Sequence, residues 1–154
     1  MPGTVGVISN PAGIIPPGGQ TAAENRTFTG VIAQYVAASA ISAKQAVYLN
    51  TSLLAVKAAT NTVRESVIGV AITDAAAGEI VQVMHLGVTK VLCETSVAAG
   101  VLLMRSASTA GSVDTATSTT DDAEGGFLAV SLTAESGGEL WAFVSPSFQR
   151  YNEA

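Results

Sequence analysis

Apolar and polar positions alternate most clearly between Val67 and Met84. Ile68, Val70 and Ile72 alternate with small residues, and Val81 and Val83 share one face of a second run that Glu79 opens. A period of two is the signature of a strand. Between the two arms, Asp74-Ala75-Ala76-Ala77-Gly78 supplies an Asp able to hydrogen-bond its own backbone and a Gly able to take a positive φ. The stretch predicts a β-hairpin, and the same pattern returns 60 residues later, from Leu128 to Val144. Gly78-Glu79-Ile80 aligns with Gly138-Glu139-Leu140, Val70 with Val130, Ile72-Thr73 with Leu132-Thr133, and Val83 with Phe143. These four residues, Gly78, Glu79, Gly138 and Glu139, are expected to build equivalent structural turns.

Upstream, the correspondence continues at a spacing of 56: Ile32, Tyr35, Val36 and Ile41 fall opposite Val88, Val91, Leu92 and Val97. Between the two blocks, the run from Ala55 to Thr60 resembles that from Ser112 to Thr117. A chain rich in Val and Ala aligns with itself by chance at some offset, but here the glycine-glutamate turn and both strand phases agree together. The expectation is an internal duplication over about 32–85 and 88–145, with the net insertion in the polar run from Ser118 to Asp122. The segment from Val31 to Leu49 also fits a helical face, since Ile32, Tyr35 and Val36 have suitable spacing among helix-forming alanines. Strands are preferred there, because Gly30 precedes it and Val47-Tyr48-Leu49 are strand formers followed by the turn residue Asn50.

Residues 1–26 break from this pattern. Pro2, Pro11, Pro16 and Pro17 alternate with Gly3, Gly6, Gly13, Gly18 and Gly19, which argues against a helix or a central strand. Val5, Val7, Ile8, Ile14 and Ile15 are nevertheless apolar, unlike a solvated linker. An extended arm lying on a surface reconciles the two, with a terminus free in solution as the alternative. The predicted fold class is all-β: a small barrel- or sandwich-like domain of short antiparallel strands over 27–154, with an internal pseudo-repeat, preceded by the extended arm 1–26.

Composition narrows the function. The 154 residues are 48% hydrophobic but 5% aromatic, so the core is built from Val, Ala, Ile and Leu. Charged residues make up 12%, about half the usual share, and such a neutral surface is common where a protein works in contact with others. A net charge of −5 and scattered basic residues argue against direct nucleic-acid binding. The amino terminus does not read as a secretion signal, and no apolar run reaches membrane-spanning length. Cys93 is the only cysteine and reads as a buried strand thiol; His85 is the only histidine and reads as a strand-end structural residue before Leu86-Gly87. Asp121, Asp122 and Glu124 lack the spacing of a calcium loop. No nucleophile elbow, phosphate loop, dinucleotide turn or histidine pair is present. Glu79 and Glu139 superficially resemble a glycosidase pair, but as equivalent residues after equivalent turns they are expected to play one structural part twice. Neither catalysis, a metal nor a cofactor is expected.

The run from Val67 to Val83, followed by Leu86-Gly87-Val88 and Val97-Ala98-Ala99-Gly100, resembles the small capsid decoration (cement, head-stabilising) proteins of tailed bacteriophages and prophages. The resemblance spans about residues 27 to 117 and is most specific in the Gly-Val-Ala to Ala-Gly-Glu hairpin. It implies a β-rich structural protein made in the host cytoplasm that binds the outer surface of an icosahedral capsid. Such proteins commonly act as homotrimers, bridging neighbouring major capsid protein subunits and stabilising the shell. An N-terminal arm often shares the shell contact in such families, which makes Val5, Val7, Ile8, Pro11, Ile14, Ile15, Pro16 and Pro17 the expected contact residues. The proline-rich arm itself follows no motif of the family. A β-barrel module binding carbohydrate or a receptor on a virion or cell surface is the alternative, and the shortage of aromatic residues weighs against it.

Overall fold

The computed structural model describes residues 30–57, 67–106, 108–116 and 128–146. Nine strands and no helices are found among them: β1 (Gly30–Val36), β2 (Ala46–Leu49), β3 (Ala55–Lys57), β4 (Val67–Ala71), β5 (Ile80–Leu92), β6 (Leu102–Arg105), β7 (Val113–Thr115), β8 (Ala129–Ser131) and β9 (Glu139–Val144). They form one curled antiparallel sheet, a half-barrel, in the order β3-β2-β4-β5-β9-β8-β6-β7, with β1 paired to β5 beside this path. The all-β fold is therefore as the sequence predicts. The helical alternative for Val31 to Leu49 is ruled out by β1 and β2, whose β-branched residues suit a pleated surface.

The thirteen residues of β5 serve two sets of partners. Its first half pairs with β1 (Val36 opposite Ile80) and β4 (Val70 opposite Met84), and its second half pairs with β9 (Leu92 opposite Glu139). Split at this point, the sheet is two copies of one pairing scheme. β1 on the first half of β5, β4 on β5, β2 on β4 and β3 on β2 are matched by the second half of β5 on β9, β8 on β9, β6 on β8 and β7 on β6. Register follows throughout: Tyr48 faces Val56 as Met104 faces Asp114, and Val70 faces Met84 as Val130 faces Phe143.

Hydrogen bonds outside the strands repeat as well. Lys44 N–H donates to the Ala71 carbonyl and Gly100 N–H to that of Ser131. The Asn50 side chain accepts from Ser52 and Leu54 N–H at the β2–β3 turn, and Ser106 Oγ accepts from Ser108 and Thr109 N–H at the β6–β7 turn. Thr73 Oγ1 accepts from Gln82 N–H, and Thr133 Oγ1 from Trp141 N–H.

These bonds correct the alignment in three places. Ala37 N–H donates to the Glu79 carbonyl where Cys93 N–H donates to that of Gly138, so Glu79 is matched by Gly138, not by Glu139, and Val83 by Ala142, not Phe143. The second hairpin is one residue shorter, and two glutamates of like sequence setting stand one step apart. The run expected to match Ala55 with Ser112 matches it with Val113, since Ala37 bridges Ala55 as Cys93 bridges Val113. The insertion is split: the β6–β7 turn gains two residues, and two more fall between β7 and β8, a stretch mostly outside the described residues.

Two apolar clusters make up the core, one within the first repeat and one centred on the second that also takes in Ala46, Val67 and Val70 of the first. Ala37, Ile41, Val47, Ala55, Val81 and Val83 pack in the first, and their counterparts Cys93, Val97, Leu103, Val113, Leu140 and Ala142 in the second. Gly69 sits where β4 crosses closest to β5: a Cβ there would lie 2.2 Å from the Met84 carbonyl oxygen and 2.9 Å from Val83 Cγ1. Replacing Gly69→Ala is expected to force β4 off β5 and cost about 1–3 kcal/mol. Urea titration checks it, with a lowered midpoint at unchanged slope as the expected outcome.

Candidate interaction surface

Cys93, His85, Glu79 and Glu139, which sequence reading weighs for chemistry and expects to be structural, all make contacts within the sheet or its turns. Burial, followed by the nearby Glu135, Asp114 and Glu139 carboxylates, pushes the Cys93 thiol up to about 11, so it is protonated and unreactive at neutral pH. His85 lies inside β5 rather than at a strand end, because β5 continues through Gly87 to Leu92. Its Nδ1 lies 2.7 Å from the Ile68 carbonyl, which can only accept, so Nδ1 is the donor there, and Nε2 shares a hydrogen bond with the Tyr35 hydroxyl at 2.8 Å. The two rings meet edge to face at 5.6 Å. Tyr35, on β1, is a partner that no sequence motif announces.

Glu79 and Glu139 play different parts. The Glu79 carboxylate accepts the Ala76 N–H at 2.8 Å and closes its own turn. In the second hairpin Glu135 performs that service for the Gly138 N–H at 2.7 Å. Glu139, moved one place along, bonds the Lys44 and Lys90 ammonium groups and so ties the first repeat to the second. The Lys90 ammonium also lies 5.7 Å over the Trp141 ring. Gly78, Gly137 and Gly138 all take positive φ, as the turns require. Among the described residues no cluster of His, Cys, Asp and Glu is arranged to hold a metal ion.

What stands out instead is uncovered apolar surface. β1, Gly-Val-Ile-Ala-Gln-Tyr-Val, carries no charge and no proline, and none of its residues is buried. Among the described residues it pairs with β5 alone, leaving an edge without the usual guards against further pairing. Its cross-strand pairs Val36–Ile80 and Val31–Leu86 are exposed at all four positions. A second apolar row crosses the other repeat, with Leu102 opposite Val130 and Val130 opposite Phe143; Leu102 and Phe143 are exposed. Leu53, in the β2–β3 turn, is 72% exposed. Alternation alone does not reveal these positions, since an exposed and a buried valine look alike in sequence. The expected contact residues Val5, Val7, Ile8, Pro11, Ile14, Ile15, Pro16 and Pro17 lie outside the described residues.

The Glu139 bridge yields a pH prediction. Hydrogen bonds from Lys44 and then Lys90 hold its carboxyl below the usual value of 4.5. A depressed folded value means its stabilisation is fully present above the unfolded carboxylate range and is lost as pH falls through the folded value. With both lysines partly exposed, the contribution is about 1 kcal/mol or less. Replacing Glu139→Gln is expected to lower the melting temperature near neutral pH and to flatten its decline below pH 4.5; calorimetry across that range measures both.

No protein-family model and no curated protein sequence matches the chain. Among solved structures, the chain is similar to the N base of the head fiber protein gp8.5 of bacteriophage phi29. The TM-score is 0.54 at 17% identity, and the match covers 77% of this chain and 98% of the fiber base. At that identity the likeness establishes a shared fold.

Proposed function

We propose that the chain is a structural protein of a bacteriophage virion that binds the outer surface of the icosahedral shell as a homotrimer. There it bridges neighbouring major capsid protein subunits and stabilises them. The observation carrying this reading is the fold shared with a phage head fiber base, matched over 98% of that base. The resemblance of the Val67 to Val83 hairpin to phage decoration proteins points the same way by an independent route. The molecular surface suits such a role, being poor in charge and offering an unguarded apolar strand at β1, directly after the proline-rich stretch. The role is scaffolding rather than catalysis, and it calls on neither cofactor nor metal.

In this reading the arm 1–26 supplies reach. An extended chain advances about 3.3 Å per residue, so the arm spans far enough to touch a capsid subunit other than the one beneath the β-domain. Its prolines restrict the free chain and so lower the ordering cost on docking. Its apolar residues, Val5, Val7, Ile14 and Ile15 among them, fill shallow sites while the backbone adds to a sheet edge.

Co-sedimentation with empty shells of the major capsid protein encoded in the same genome tests both parts. The full chain is expected to pellet with shells and to raise their melting temperature. A chain lacking residues 2–20 is expected to keep its circular-dichroism spectrum and lose most of its binding. Failure of the full chain to bind shells overturns the capsid role, whereas full-strength binding by the shortened chain removes the arm from the interface.

A further inference from the structure

The two repeats meet through surfaces that each repeat carries in full but uses only once. From the first repeat, Ala46 N–H donates to the Gly111 carbonyl at 2.8 Å, and the Lys44 carbonyl accepts Leu92 N–H at 3.0 Å. Gly111 fits so closely that a Cβ there would lie 3.1 Å from the Gln45 side chain. Ala46 and Val70 are fully buried in the same apolar cluster as Val113 and Leu140 of the second repeat. The first repeat thus contributes a socket, the start of β2 with the row Ala46–Val70–Met84. The second contributes a plug, the β6–β7 turn at Gly111 with the end of β5 at Leu92.

The register equivalences locate the unused socket and the unused plug. The socket of the second repeat is Gly100-Val101-Leu102 with the row Leu102–Val130–Phe143. The plug of the first repeat is Leu53, the counterpart of Gly111, with Val36, the counterpart of Leu92, and Ile80 paired beside it. Met84, Ala46 and Val70 are buried in the used socket, while their counterparts Phe143 and Leu102 are 40% and 45% exposed. On the plug side Val36, Leu53 and Ile80 are all exposed. Backbone conformation agrees: Gly111 has φ 83° and Leu53 has φ 60°, a left-handed geometry that costs a leucine about 1–2 kcal/mol and presents its carbonyl as Gly111 presents its own.

We infer that the chain associates with itself head to tail, the second-repeat socket of one copy receiving the first-repeat plug of the next. In this contact Leu102 N–H meets the Leu53 carbonyl of the neighbouring copy, and the Gly100 carbonyl meets that copy's Val36 N–H. A second copy is the occupant these faces fit, because the chain already contains the matching half of each. Neither face carries a charged residue, so copies that each bear −5 meet where repulsion is least. A head-to-tail contact must close into a ring to give a finite assembly, and the homotrimer proposed above would close with six repeats. The contact itself does not depend on the capsid reading, and its test involves no capsid.

Sedimentation velocity and light scattering on the full chain across micromolar concentrations test it. The wild type is expected to form one closed oligomer. Leu53→Asp and Leu102→Asp, each at an exposed site and checked for an unchanged circular-dichroism spectrum, are expected to be monomeric at the same concentrations. An equimolar mixture of the two variants is expected to give dimers, since one plug and one socket remain intact. A monomeric wild type overturns the inference, as would follow if residues 1–29 of the same chain covered these faces. Oligomers that survive both substitutions, or a mixture that stays monomeric at the highest concentration, overturn it equally.

Discussion

The structure depends on one strand having two sets of neighbours. β5 is the last strand of the first repeat and the first of the second, so the fold cannot be divided between the repeats without cutting it. Its residues face two demands. Val81, Val83 and Val91 fill the clusters of their own repeats, while Gly87, at the handover, pairs with Gly30 on β1 and with Val144 on β9. Pairing on both sides at one glycine fixes the relative placement of the two half-sheets through backbone bonds, before any side chain contributes. Stability therefore resides less in a single core than in a ladder shared by two small ones, which suits a chain with few aromatic residues.

The second constraint is the offset between the repeats at their hairpins. The turn of the second hairpin is one residue shorter, so Glu139 opens β9 at the position of Ile80 and bonds Lys44 and Lys90. Glu135 closes that turn in its place. A duplication that kept perfect register would have two identical turns and no charged tie between repeats. Here, the one-residue difference in turn length sets a local capping glutamate, Glu79, beside a long-range one, Glu139. Lys44 contributes from a left-handed backbone position, φ 76°, where its counterpart Gly100 has φ 80°. The first repeat thus tolerates a strained lysine where the second has an unstrained glycine, and the ammonium placed there reaches Glu139.

Much of the fold is legible in the sequence, because strand phase and duplication both express themselves as periodicity. Val70 with Val130, Ile41 with Val97 and Leu92 with Val36 fall where the hydrogen bonds place them. The finer register is not legible, because Glu79 and Glu139 follow the same glycine and only their hydrogen bonds distinguish them. His85 is misplaced to a strand end for a related reason: Gly87 reads as a terminus, whereas in the sheet it lies within one long strand. The interaction surface is the least legible part, since Leu53 and Leu102 are recognisable only by comparing each with its glycine or buried counterpart, and Ile80 only by its exposure in the sheet. The arm contributes a composition argument that rests on prolines and apolar residues alone.

The shared strand also orders events in time. Every pairing of the first repeat involves residues no later than Leu86 or Gly87, near the middle of the chain. A polypeptide leaving the ribosome at about 5–20 residues per second has its first half-sheet available while the second is still being made. The end of β5 then projects from an ordered sheet, and β9, the last strand to emerge, docks onto it. Closure of the second repeat therefore requires a long-range pairing to a strand that the first repeat already contains.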